Sequence, residues 1–494
     1  MKRILLKIKN KLNNNSANNG NRQIVQLTYF FSIIFILLMT YICVIVYRDS
    51  DEIINNSYNK REAVYSAKTL RGSILSSDGD ILACTNFVDG NELRIYPYGR
   101  LFSHVVGYNV RGKAGVESIA NFRLLKSNAL FTERIINDLN GIKNVGDNVV
   151  TSLDLKTQYA AYEALGNRKG AVVVMDARNG YIISMVSKPD FDPNEVEYTW
   201  NEMTNDENNS VLLNRATSGL YPPGSTFKII TALEYIKENN IEAVDNYNFE
   251  CNGYFEYKGT KINCFHGKAH GDVNFDDSFA QSCNSSFAKI TTTLDKSDFE
   301  KTCKEFLFGD DLPGIYILNN KSSFPIKKSL VSINSKSSVD ELLQTGIGQG
   351  KTSITPYHMC LISAAIANDG VLMKPILVKE IETSSGNHIE SVSVRPYKRL
   401  LSEEDSDKVK GLMREVVTDG TGTILSNTVG YEAYGKTGSA EFSTNKSESH
   451  AWFTGFAEGE NGSLLAISVI VENGGSGGQV AAPIARAVFD AYYN

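Results

Sequence analysis

Tyr221-Pro-Pro-Gly-Ser-Thr-Phe-Lys-Ile-Ile230 sets a serine and a lysine three residues apart, where an extended stretch gives way to a helical one. Pro222 and Pro223 favour extended backbone, Gly224 supplies a hinge, and residues 227–236 carry a helical pattern. Residues i and i+3 share a helix face, so the spacing predicts that the Lys228 amine reaches the Ser225 hydroxyl. A serine hydroxyl is a weak nucleophile at neutral pH and needs a neighbouring base. Lysine serves once burial or a second cation lowers its pKa. The start of the helix also offers unpaired backbone N–H groups for a developing oxyanion. Ser-x-x-Lys alone occurs on many surface helices, so its meaning depends on the rest of the chain.

Two further elements follow downstream. Ser282-Cys-Asn284 closes the helix-like run 275–281, and Gly435-Lys-Thr-Gly-Ser-Ala-Glu441 reads as a small-residue strand bearing a lysine. Serine acyl-enzymes carry Ser-x-x-Lys, then Ser-Asp-Asn or a relative, then Lys-Thr-Gly, in that order. All three stand here in that order. The residue types suit amide chemistry. Ser225 attacks a carbonyl while Lys228 takes its proton, Ser282 relays a proton to the leaving amine, and Asn284 donates to a substrate peptide carbonyl. Lys436 supplies positive charge opposite a substrate carboxylate, Thr437 adds a hydroxyl, and Gly438 allows close backbone approach. The N–H groups of Ser225 and Ser439 would form the oxyanion hole.

The 494-residue chain predicts more than one domain, and its net charge of −6 gives no support for nucleic-acid binding. Lys2, Arg3, Lys7, Lys9, Lys11 and Arg22 precede an almost wholly apolar stretch at 24–47. That stretch is long enough to span a bilayer and lacks the small-x-small exit of a cleaved leader. The basic flank predicts a cytoplasmic tail (1–23), with everything after the span outside the cell. The Asn-rich run 13–21 reads as disordered. Residues 48–150 read as a β-rich pedestal, opening with two short strands around Ser77-Asp-Gly79. Residues 151–494 read as the catalytic domain. It has a helix at 155–165, a hairpin of strands 170–176 and 181–186, helices at 227–237, 275–289, 356–368 and 403–417, strands 451–456 and 464–471, and a last helix 483–492. The fold class is therefore α+β: an antiparallel sheet flanked by helices with an all-helical insertion.

The sequence resembles the class B penicillin-binding proteins over nearly its whole length, most closely the compact penicillin-binding protein A branch. Beyond the three catalytic elements, the resemblance rests on Arg71-Gly-Ser-Ile with Asp78-Gly79, Tyr96-Pro97, Gly112-x-x-Gly-Val-Glu117 and Asn214-Arg-Ala216. Gly346-Ile-Gly-Gln-Gly350 and His450-Ala-Trp-Phe-Thr-Gly-Phe456 complete it. It implies a membrane-anchored peptidoglycan D,D-transpeptidase of cell-wall synthesis that acts on nascent stem pentapeptides and is acylated by β-lactams. It also implies a polytopic glycosyltransferase of the shape-elongation-division-sporulation family as partner, since about a hundred residues between anchor and catalytic domain are too few for a built-in one. A serine β-lactamase shares the constellation, but no Glu-x-x-Leu-Asn segment is present to activate water. A D,D-carboxypeptidase is separated poorly by sequence. A signalling receptor would need a cytoplasmic output module, and an inactive scaffold fits badly with Ser225, Lys228 and Lys436 all in place.

Seven cysteines are present, and Cys251, Cys264 and Cys283 stand near His270, with His266 as a competing ligand. Three thiolates and an imidazole suit structural zinc, and some elongation-type relatives resemble this chain in carrying a metal in this insertion. A Cys251–Cys264 disulfide and buried free thiols remain open beside it. Catalysis itself requires no cofactor.

Overall fold

The computed structural model describes residues 19–54, 61–88, 91–206, 208–318, 320–321, 324–441 and 449–494. Lys2, Arg3, Lys7, Lys9, Lys11 and most of the Asn-rich run lie outside them. The chain divides into two units, Met1–Asn59 and Lys60–Asn494. Among its described residues the first holds one helix, α1 (Asn19–Ile54), whose segment Gln23–Val46 runs 24 residues at a mean hydropathy of 2.6. That length and composition are sufficient to cross a bilayer.

The second unit opens with α2 (Arg61–Lys68) and the strands β1 (Ile74–Leu75), β2 (Ile81–Val88) and β3 (Asn91–Ile95). Helix α3 (Phe131–Leu139) and strand β4 (Asn148–Thr151) follow. β1 and β2 are the two strands expected around Ser77-Asp-Gly79, and Gly79 takes the turn at φ +92°. The sheet does not stop at the linear boundary near residue 150. β4 lies between β1 and Ile376–Glu382, which also pairs Tyr316–Ile317 and His388–Ser391. Side chains from Arg71-Gly, Tyr96-Pro and Gly-Val-Glu117, three motifs far apart in sequence, meet in its core. Fully buried Glu117 accepts from Arg71 Nε (2.6 Å), Arg94 Nε (2.7 Å) and Tyr96 OH (3.3 Å). Burial alone would raise the Glu117 carboxyl, but the two guanidinium groups outweigh it and hold it below its usual value.

Helix α4 (Leu155–Leu165), capped by Asp154, precedes the hairpin β5 (Gly170–Asp176) and β6 (Ile182–Lys188). After the helical region come β7 (Tyr431–Glu441), β8 (Ser449–Gly459) and β9 (Leu464–Val471), giving an antiparallel sheet in the order β7-β8-β9-β5-β6. One face packs against α4 and the C-terminal helix Ala482–Tyr493 through Leu165, Val172, Ile467, Val488 and Phe489. Pro356–Ala367, buried along its whole length, covers the other face. Both faces of the central strands are covered, so β5 and β9 read as continuous apolar runs rather than alternating ones.

Two expectations need correction. The insertion is not all helical: Asn248–Cys251 pairs Gly271–Asn274, and Tyr254–Tyr257 pairs Thr260–Asn263. Gly253 (φ +87°) and Gly259 (φ +85°) make the turns that a helix would exclude. The helical pattern across 275–289 is also two helices, α5 (Phe275–Ala280) and α6 (Asn284–Thr291). Ser282 breaks it with a left-handed backbone at φ +59°.

Candidate active site

The nucleophile turn is a 3₁₀ segment, Gly224–Phe227, continuing directly into the helix Lys228–Glu238. In such a turn residues i and i+3 eclipse, so Ser225 and Lys228 stand on the same side of it. The backbone around it is fixed from three sides. Gly224 N donates to Gly348 O (2.9 Å), Tyr221 N to Ile354 O (3.0 Å), and Trp452 Nε1 to Pro222 O (3.0 Å). A Cβ on Gly348 would lie 2.0 Å from Gly224 O, so only glycine admits this approach. Upstream, Glu472 accepts from Arg215 Nε (2.8 Å) and Tyr221 OH (2.7 Å), tying the preceding segment to the end of the sheet.

Lys228 is fully buried, and its Nζ donates to Ser282 O and Asn284 Oδ1, each at 2.7 Å, with Ser282 Oγ at 3.4 Å. Burial pushes its pKa down to about 8. The hydrogen bonds of its amine thus run to the Ser282-Cys-Asn284 turn, and the bond to the Ser225 hydroxyl expected from the spacing is not among them. Lys436, on β7 and equally buried, donates from Nζ to Ser282 Oγ at 2.9 Å. Burial first, and then the charge of Lys228, hold Lys436 well below its usual value. Ser282 Oγ therefore sits between two lysine amines, its backbone in a left-handed conformation that presents both its hydroxyl and its carbonyl to Lys228. Asn284 uses one amide proton on Asn263 O (3.1 Å), leaving the other for a ligand.

A cleft of about 1140 Å³ opens over these groups, lined by Ser225, Ser282, Asn284, Thr437, Gly438 and Ser439. The five catalytic candidates and three strand residues read from the sequence are thus brought together. Lys436 itself is turned to Ser282 and lies beneath the cleft, rather than directly opposite a carboxylate within it. The hydroxyls facing the cleft are those of Thr437, paired with Thr421 at 2.6 Å, and Ser439, which accepts from Gly477 N at 3.3 Å. β7 is the edge strand of its sheet, so its outer backbone groups are available to an extended peptide. Gly438 packs on the nucleophile turn, where a Cβ would stand 3.1 Å from Thr226 Cγ2 and 3.2 Å from Pro223 O.

Two wall residues escaped the sequence reading. Gln349 donates its amide to Glu441 O (3.0 Å) and accepts from Glu441 N (3.2 Å), joining the glycine-rich turn to the end of β7. Thr421 is the other. Thr421 carries no local motif, whereas Gln349 lies within Gly346-Ile-Gly-Gln-Gly350, a segment visible in the sequence without its role at the wall.

Behind the Ser282 turn, the donor atoms of Cys251, Cys264, His270 and Cys283 lie within 4.8 Å of one another. His266 is not among them; it is exposed, at φ +54°, beside the Phe265 ring. Cys251 and Cys264 sulfurs stand 3.6 Å apart, and those of Cys264 and Cys283 3.8 Å apart. A disulfide needs about 2.0 Å, so the Cys251–Cys264 bridge is not formed, and the three are free cysteines. Ser285 Oγ and N approach Cys264 Sγ at 3.0 and 3.4 Å, and Ser286 N approaches Cys283 Sγ at 3.4 Å. Hydroxyl and N–H groups at a helix start stabilise thiolates. Two sulfurs on one tetrahedral zinc stand about 3.8 Å apart, and the set fits that geometry.

Residues 170–490 match the family model of the penicillin binding protein transpeptidase domain, and residues 71–149 match that of the penicillin binding protein A dimerisation domain. The chain belongs to the penicillin-binding protein transpeptidase family. It is 29% identical over 463 residues to the peptidoglycan D,D-transpeptidase PbpA of Mycolicibacterium smegmatis, covering 88% of this chain and 91% of that one. Against the D,D-transpeptidase MrdA of Acinetobacter baumannii it is 27% identical, covering 82% and 66%. The fold matches the ceftriaxone acyl-enzyme of penicillin-binding protein A from M. tuberculosis with a TM-score of 0.77 at 27% identity, covering 88% of this chain and all of that one.

Proposed function

We propose that this chain is a membrane-anchored D,D-transpeptidase that cross-links peptidoglycan stem peptides through an acyl-enzyme on Ser225 and is acylated by β-lactams at the same atom. The observation that carries the reading is the convergence of Lys228 and Lys436 on Ser282 beside the Ser225 turn, in a cleft whose wall is an edge strand. Lys228, neutral near its lowered pKa, takes the proton as Ser225 Oγ attacks the carbonyl of the penultimate D-alanine. The N–H groups of Ser225 and Ser439 hold the oxyanion. As the C–N bond breaks, the departing D-alanine amine gains a proton through Ser282 Oγ, whose two lysine contacts set up the relay. An amine of a neighbouring strand then attacks the Ser225 ester, and the serine recovers its proton. Transfer to water in place of that amine is a carboxypeptidase side reaction of the same intermediate.

The test is the intact mass of the full chain in detergent after incubation with benzylpenicillin, beside Ser225→Ala. A one-drug adduct lasting many minutes, absent from the variant, supports the reading. Rapid return to the unmodified mass with drug consumed means a β-lactamase, and no adduct removes the proposal.

Gln23–Val46 and the basic residues before it support a single-pass anchor with the catalytic domain outside the cell. A polytopic glycosyltransferase of the shape-elongation-division-sporulation family is the partner we assign, testable by cross-linking in membranes. A second reading concerns the thiolate cluster: Cys251, Cys264, His270 and Cys283 would hold a structural zinc. A zinc there supplies a rigid tie for the Ser282-Cys283-Asn284 turn, since Cys283 is its middle residue. Metal analysis finding one zinc per chain, lost in Cys264→Ser, is the expected result; a metal-free chain removes it.

A further inference from the structure

Helix α3 carries its apolar residues on the outside. Leu130, Phe131, Ile136, Leu139 and Ile142 are 57–81% exposed, and α3 has no buried residue. At 100° per residue, Phe131, Ile135, Leu139 and Ile136 fall within an arc of about 140°. Asn137, opposite the middle of that arc, and Asp138, at its edge, bond to the pedestal: Asn137 Nδ2 donates to Asn144 Oδ1 (3.1 Å), and Asn144 Nδ2 to Asp138 Oδ1 (3.2 Å). The helix is thus docked by its polar face with its apolar face turned away, the reverse of a core helix.

The apolar face adjoins the point where the chain arrives from its anchor. Asn144–Val145 pairs in parallel with Thr69–Leu70, the residues that directly follow α2. Lys143 donates to Ser66 O in α2 (3.0 Å) and pairs with Glu92 of the β2–β3 hairpin (2.6 Å). That hairpin exposes Phe87, Val88 and Leu93 as well. From Val46 to Thr69 the two helical pieces rise about 1.5 Å per residue and the rest spans at most about 3.6 Å per residue, a reach of roughly 50 Å. A tether of that length keeps the local concentration of bilayer surface high, so even weak affinity suffices for occupancy.

We propose that α3, with Leu130 and Ile142, is an interfacial foot that lays its apolar face into the surface of the bilayer to which the chain is anchored. This rests on the anchor reading above. Phe131 and the aliphatic residues enter the headgroup boundary, while Arg134 and Lys143 flank them, as in interfacial helices. The foot sets the height of the pedestal above the membrane, and with it that of the sheet shared with Ile376–Glu382.

The experiment uses the full chain in nanodiscs holding one copy each. Ile136→Trp and, as a control, Tyr198→Trp (Tyr198 is 86% exposed) are compared with the parent chain, with and without brominated lipid. The expected result is about twofold quenching of the tryptophan added at 136, with a blue-shifted emission, and none at 198. Adding Leu139→Glu should abolish the quenching while benzylpenicillin still acylates Ser225, which shows the fold intact. Unquenched emission at 136 in discs that have taken up the chain overturns the foot alone. Quenching or a blue shift only in discs holding two copies assigns the face to a second chain and overturns it too. Failure of the chain to enter discs at all overturns the anchor reading together with the foot.

Discussion

Two buried charge clusters in this molecule are built on opposite principles. In the pedestal, Glu117 stands between Arg71 and Arg94, every near neighbour of the carboxylate is a donor, and the group is held ionised. In the active site, Lys228 and Lys436 flank one serine hydroxyl, and among the described residues neither lysine pairs with a carboxylate. Compensation makes the first cluster inert and structural. Its absence makes the second reactive, because burial without an anion drives a lysine towards the neutral form that can accept a proton.

The largest effect is expected at Lys228. Lys228→Met should slow β-lactam acylation by about 10²–10⁴-fold, the usual contribution of a general base, while leaving thermal stability unchanged or raised. Stopped-flow acylation with thermal melts measures both, and a loss below tenfold would mean that another group takes the serine proton. Glu117→Ala should do the reverse. It leaves two buried guanidinium groups unpaired and should destabilise by about 3–5 kcal/mol in denaturant unfolding, while the folded fraction acylates at the parent rate.

The pH dependences should also diverge. Acylation should climb with pH as the Lys228 amine loses its proton through about 8, and level off above. The Glu117 contribution to stability has the same sign but falls in a lower window. It is complete above the ordinary carboxyl value of 4.5 and is lost as pH falls through the depressed folded value. A flat acylation profile between pH 6 and pH 9 would remove Lys228 as base. The smallest effect is expected at the cysteine cluster. On the proposed zinc reading, Cys264→Ser should lose the metal and slow acylation by about tenfold or less, since the cluster would act only by holding the Ser282 turn.

The expected strands and helices at 155–165, 170–176, 356–368, 403–417 and 464–471 were legible because their periodicity and caps agree with their surroundings. Asp154, Thr355 and Ser402 each cap the helix that follows them. The break at Ser282 was not legible. Nothing in Phe279-Ala-Gln-Ser-Cys-Asn-Ser forbids a helix, and the left-handed serine is held there by Lys228, 54 residues away. The insertion hairpins were missed for a related reason: short strands of mixed aromatic and polar residues carry little pattern of their own.

The candidate site was readable before any fold was known. Ser225, Lys228, Ser282, Asn284 and Lys436 are identifiable because local spacing and order along the chain survive without coordinates. The tertiary structure alone decided which contacts those groups make. It turned Lys436 onto Ser282, gave Lys228 to the Ser282 turn, gathered Cys251, Cys264, His270 and Cys283, and balanced Glu117 between arginines 46 and 23 residues away. The physical reason is that a charge's state depends on what surrounds it when buried. That environment is assembled from segments that do not meet until the chain has folded.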